Sequence, residues 1–107
     1  MAVYREKLDA AGLVYVVFGH IGNNHLHVNI LPRHPEDYRR GRELYHEFAK
    51  TVVELGGSPA AEHGIGKLKT DFLEFLFGPD GIAEMRAVKR LFDPDFRLGP
   101  GILFAAA

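Results

Sequence analysis

Between residues 35 and 55 the apolar or small positions fall at Tyr38, Gly41, Tyr45, Phe48, Val52 and Leu55, in alternating steps of three and four. That spacing keeps one side of an α-helix apolar. Pro35 suits its first turn, and Gly56-Gly57 supplies its stop. Upstream the period changes to two. Leu26, Val28 and Ile30 alternate with His25, His27 and Asn29, so the two sets point to opposite sides of a strand. Leu13 to Phe18 is rich in β-branched and aromatic residues and apolar on both faces, the pattern of a strand covered on both sides. The intervening Ile21-Gly22-Asn23-Asn24 has turn chemistry, which makes residues 13 to 31 a β-hairpin. Residues 3 to 11 read as a short helix capped by Gly12. Ser58 to Glu62 reads as a short strand-like segment running into His63-Gly64-Ile65-Gly66. Thr70 to Phe77 and Asp80 to Phe92 read as two helices parted by Gly78-Pro79. The order predicts an α+β fold, a small antiparallel sheet with helices on one face. Three short strands would leave sheet edges to be covered by a partner chain, such as a second copy in a homo-oligomer, or by a further domain.

Composition narrows the function. With 107 residues, one modest core is expected and a complete two-lobed cofactor enzyme is not. Lys and Arg number 13 against 14 Asp and Glu, so no cationic surplus points to nucleic acid. Without cysteine there is no disulfide, thiolate zinc site, iron–sulfur cluster or thiol nucleophile, and any metal must be held by the six His and the carboxylates. The longest apolar run, Leu13 to Phe18, is far short of the roughly 20 residues that span a bilayer, and no signal-like segment opens the chain. The expected location is the cytoplasm.

The hairpin carries the candidate chemistry. A four-residue loop places His20 opposite His25 and diagonal to His27, so three imidazoles share one face. Rigid strands that position nitrogen ligands beside a turn can assemble a metal site. The plainer reading makes His20 and His25 rim residues and His27 a hydrogen-bonded surface residue. Glu62-His63 adds a carboxylate, the usual complement to two imidazoles, and on an extended backbone the two side chains would project to opposite sides, one toward metal and the other toward substrate. Here the plainer reading is a loop cap and a turn residue. Lys67, Lys69 and Arg33 are carboxylate-binding candidates or solvated charges, and His34 and His46 are expected to be exposed and without special role. No Gly-x-Ser-x-Gly or Ser-His pairing supports acyl transfer.

Four motifs occur in order: Phe18-Gly19-His20-Ile21-Gly22-Asn23-Asn24-His25-Leu26-His27-Val28-Asn29, Ala61-Glu62-His63-Gly64-Ile65-Gly66, residues 85 to 94, and Gly99-Pro100-Gly101-Ile102-Leu103-Phe104. Together they resemble the carboxyl-terminal end of the FAD-linked oxidases of the vanillyl-alcohol-oxidase type, the D-lactate, glycolate and D-2-hydroxyglutarate dehydrogenases. The resemblance implies a partial ferredoxin-like domain in which His20, His27 and Glu62 bind a divalent metal, usually zinc. It also implies that Asn29 helps hold a small 2-hydroxy acid and that His63 is the catalytic base while hydride passes to flavin.

The sequence departs from that family's usual His-x-Gly-Asp-Gly-Asn-x-His by carrying Asn23, Asn24 and His25 in the three central places. It departs from the terminal Leu-Asn-Pro-Gly-Lys-x-Phe by Gly99 and Ile102, losing an amide and a lysine near the expected flavin. An FAD-binding domain of about 200 residues has no room in this chain, so the expectation is the substrate- and metal-binding portion alone, with FAD supplied by a missing domain or a flavoprotein subunit. Two rival expectations are a non-catalytic metal- or acid-binding remnant module and a zinc hydrolase using the same residues.

Overall fold

The computed structural model describes residues 1–105. These residues divide into two compact units, Met1–Phe48 and a second beginning at Ala49. Their element order is α1 (Ala2–Ala10), β1 (Tyr15–His20), β2 (His25–Ile30), α2 (Pro35–Glu54) and α3 (Thr70–Phe92).

In the first unit, α1 ends as its sequence predicts. Gly12, at φ 66°, turns the chain so that the N–H of Gly12 bonds Asp9 O at 3.0 Å and the N–H of Leu13 bonds Leu8 O at 3.2 Å. This paired closure needs a residue with no Cβ penalty and brings the two flanking apolar residues together. Leu8, fully buried, and Leu13 then form the core with Phe48 of α2, against Tyr15, Val28, Ile30 and Leu44. Tyr4 meets Phe48 edge to face, centroids 4.8 Å apart. The Arg40 guanidinium donates to Ala11 O at 2.5 Å, and the Tyr45 hydroxyl donates to Val28 O. At the start of α2, the Asp37 carboxylate accepts the N–H groups of Arg33 and His34 at 3.1 and 3.2 Å, satisfying donors that precede the helix.

β1 and β2 pair antiparallel in the register Tyr15↔Ile30 through His20↔His25. Tyr15, Val17, Gly19, Leu26, Val28 and Ile30 therefore share one face. The core helices pack against the Tyr15, Val28 and Ile30 end of that face. The opposite face carries Val16, Phe18, His20, His25, His27 and Asn29. The expectation of a strand covered on both sides is corrected here: Val16 is 46% and Phe18 54% exposed. Both of these residues lie on the face turned away from the helices.

In the second unit, α2 closes through Gly56 and Gly57, whose N–H groups bond Val53 O and Val52 O. The segment from Ser58 to Glu62, expected to be strand-like, is irregular. Ser58 bonds locally with Ala60, and Pro59 has no N–H for a ladder. The sheet among the described residues accordingly has two strands rather than three. The pair of helices read on either side of Gly78-Pro79 is present as α3, broken where Gly78 takes φ 69° and ψ 175°. Phe72, Leu73 and Phe104 are buried in this unit. Asp93, 7% exposed, accepts Lys89 Nζ at 2.7 Å and the N–H groups of Arg97 and Leu98 at 2.8 and 2.9 Å, closing the chain back on the end of α3. The architecture is the expected α+β class, three helices with a small antiparallel sheet among the described residues.

Candidate metal centre

The turn end of the hairpin is shaped by a missing side chain. A Cβ on Gly19 would lie 2.0 Å from the carbonyl oxygen of His25, so β1 approaches β2 more closely there than any other residue would permit. That approach brings His20 against His25 across the last pair of the ladder. Alternation along β2 brings His27 to the same side.

Three imidazoles result. The ring centroids of His25 and His27 are 4.5 Å apart, those of His20 and His25 5.0 Å, and those of His20 and His27 5.6 Å. Each offers a ring nitrogen within 4.8 Å of those of the other two. Phe18 stacks on His27 with centroids 4.9 Å apart and planes 15° apart, which limits the tilt of that ring. His25 and His27 are half-buried and His20 is exposed. Three imidazole nitrogens this near to one another form a candidate metal-binding group.

The other predicted site residues are placed as follows. Asn29 is exposed on the histidine face, opposite Val16 and two residues beyond His27. Glu62 and His63 belong to the second unit, on the loop between α2 and α3. Their side chains do not project to opposite sides as an extended backbone would require: His63 Nε2 lies 3.6 Å from Glu62 Oε1. The reason is local, since the chain bends at these residues and Gly64 follows at φ 70°. Of the remaining histidines, His46 Nδ1 sits 2.9 Å from Arg42 O on α2, and His34 uses its backbone N–H at the start of the same helix. Neither joins the cluster. His25 is the residue that the ligand set implied by resemblance omits. The signal for it was in the sequence, because it alternates with His27 and falls opposite His20.

Comparison with known proteins decides the family. The family described as FAD linked oxidases, C-terminal domain, matches residues 1–103. This chain belongs to that family. The FAD-linked oxidase domain is 41% identical over 95 residues to a D-2-hydroxyglutarate dehydrogenase of Stutzerimonas stutzeri, covering 85% of this chain and 20% of that protein. It is 37% identical over 90 residues to the glycolate oxidase subunit GlcD of Bacillus subtilis, 82% of this chain and 19% of that one. It is 38% identical over 100 residues to a D-lactate dehydrogenase of Archaeoglobus fulgidus, 90% and 21%. The chain thus spans about a fifth of the length of the curated relatives it matches. Those names are of oxidoreductases whose substrates are 2-hydroxy acids. Among the described residues, no helix of the FAD-linked oxidase domain is long and apolar enough to cross a membrane.

Proposed function

We propose that this chain is the substrate- and metal-binding carboxyl-terminal portion of an FAD-dependent 2-hydroxy-acid dehydrogenase, with FAD held by another domain or a flavoprotein subunit. The observation that carries the reading is the approach of His20 and His27 on one hairpin face, with ring nitrogens within 4.8 Å. Family membership and the names of the relatives support the reaction class. Glu62 enters the ligand set on the resemblance and on the donor chemistry of a carboxylate that complements imidazoles. When bound, a divalent ion such as zinc supplies Lewis acidity to the carboxylate and hydroxyl oxygens of a 2-hydroxy acid, and FAD supplies the acceptor for the hydride from C2.

The chain's own residues have separate tasks. His20, His27 and Glu62 would hold the cation, which would supply Lewis acidity to the substrate oxygens. Asn29, on the histidine face, donates its amide to the substrate carboxylate and sets its orientation. His63 takes the hydroxyl proton at a ring nitrogen, so that loss of one proton and one hydride converts the 2-hydroxy acid to the 2-oxo acid.

The test is the metal content of the purified chain beside Glu62→Ala and His27→Ala, each checked for folding by circular dichroism. Loss of zinc in both folded variants supports the centre, and unchanged zinc in either refutes that residue's place in it. For the reaction, the chain is combined with a flavoprotein partner, D-lactate and an artificial electron acceptor. Turnover that His63→Ala removes while zinc stays bound supports the base, and turnover that survives the substitution refutes it.

A further inference from the structure

We propose that His25 is a third imidazole ligand of this centre, so that the hairpin alone presents three nitrogens to the cation. The inference rests on the metal-binding reading above and extends it to a residue that reading does not use.

The argument is geometric. His20 and His27 form the widest pair of the three, at 5.6 Å between centroids. His25 is nearer to each of them, at 5.0 and 4.5 Å, than they are to one another. The ring nitrogens that His20 and His27 would offer an ion each have a His25 nitrogen within 4.8 Å. With a metal–nitrogen bond of about 2.1 Å and roughly 1.1 Å from ring nitrogen to ring centre, two imidazoles on one tetrahedral ion have centroids about 5.2 Å apart. The three observed separations bracket that value. The nitrogens themselves, at up to 4.8 Å, must draw in to about 3.4 Å around such an ion. That closure of at most about 1.4 Å is within side-chain rotation on a half-open face.

The backbone already holds the set together. His20 and His25 are a cross-strand pair, His25 and His27 stand two apart on one strand, and the close approach at Gly19 keeps the two strand ends in contact. Neutral nitrogen ligands also leave the cation's charge intact where a carboxylate would halve it. The hairpin contributes no carboxylate, since Asn23 and Asn24 fill its loop.

The experiment titrates the chain with zinc by calorimetry and with cobalt by visible absorption, in wild type, His25→Asn, His27→Ala and Glu62→Gln. The wild type is expected to bind one ion, and His25→Asn to weaken zinc by at least the roughly 10–100-fold that loss of a mere outer-shell partner costs, and to alter the cobalt spectrum. Imidazole 15N NMR of the wild type needs no variant to fold: on zinc addition the His25 ring signals are expected to move together with those of His20 and His27, saturating at one equivalent. If His27→Ala loses the metal while His25→Asn keeps wild-type affinity and spectrum, or if His25 signals stay still while the other two shift, the third-ligand proposal falls and the metal centre stands. If the wild type binds neither zinc nor cobalt, both fall.

Discussion

Replacing Gly19 by alanine tests the link between the fold and the histidine cluster. The added Cβ would meet His25 O at 2.0 Å, His25 C at 3.0 Å and Leu26 Cα at 3.1 Å, all backbone atoms of the facing strand. No side-chain rotation relieves such a contact. Since a Cβ has to stay about 3 Å or more from these atoms, the strand ends must part by at least about 1 Å. Forcing extra volume into a packed site costs about 1–3 kcal/mol, and loosening the last ladder pairs adds about 1 kcal/mol for each hydrogen bond lost. For a domain of this size the melting temperature should fall by roughly 5–20 °C. Zinc affinity should fall with it, because the pair that separates is His20 and His25. The assay is thermal unfolding by circular dichroism beside calorimetric zinc binding. Gly41→Ala is the control: its Cβ would meet the Ile30 side chain at an ordinary 3.4 Å, and alanine in a helix interior should raise stability by about 0.5–1 kcal/mol. A Gly19→Ala chain that melts within about 2 °C of wild type and binds zinc equally well would refute the claim that this close approach assembles the cluster.

Leu8→Ala removes a fully buried side chain at the centre of the first unit and should cost about 2–5 kcal/mol, read as a lowered midpoint in urea unfolding. Tyr45→Phe deletes the hydroxyl that donates to Val28 O and should cost about 1 kcal/mol by the same measurement. Asp93 supplies a pH test. The Lys89 ammonium, followed by the N–H groups of Leu98 and Arg97, holds its carboxyl below the usual carboxylate range against the opposing effect of burial. A carboxyl whose folded pKa is depressed stabilises the fold above its unfolded pKa and loses that contribution as pH falls through the folded value. Asp93→Asn should therefore be less stable than wild type at pH 7, with the gap in melting temperature narrowing below about pH 4. A gap that stays constant from pH 7 to pH 3 would show that the charge of Asp93 contributes nothing.

Local pattern determined most of the elements. The alternating three-and-four spacing of α2, the period of two in β2, the glycines that close α1 and α2, and the break at Gly78-Pro79 are each satisfied within a few residues, so they can be read without knowing what packs against what. The same alternation marked three imidazoles on one face of the hairpin. Tertiary structure decided what depends on a partner. Residues 58–62, expected to be strand-like, form no strand, because Pro59 lacks an N–H and a ladder needs a neighbour to exchange hydrogen bonds with. β1 is apolar on both sides and covered on one, because its sequence does not say which face the helices take. Glu62 and His63 lie side by side because the chain bends there, which adjacency in sequence leaves open. How near His25 stands to His20 and His27 is likewise decided by the tertiary structure, since register sets which side chains face each other and packing sets how near they come.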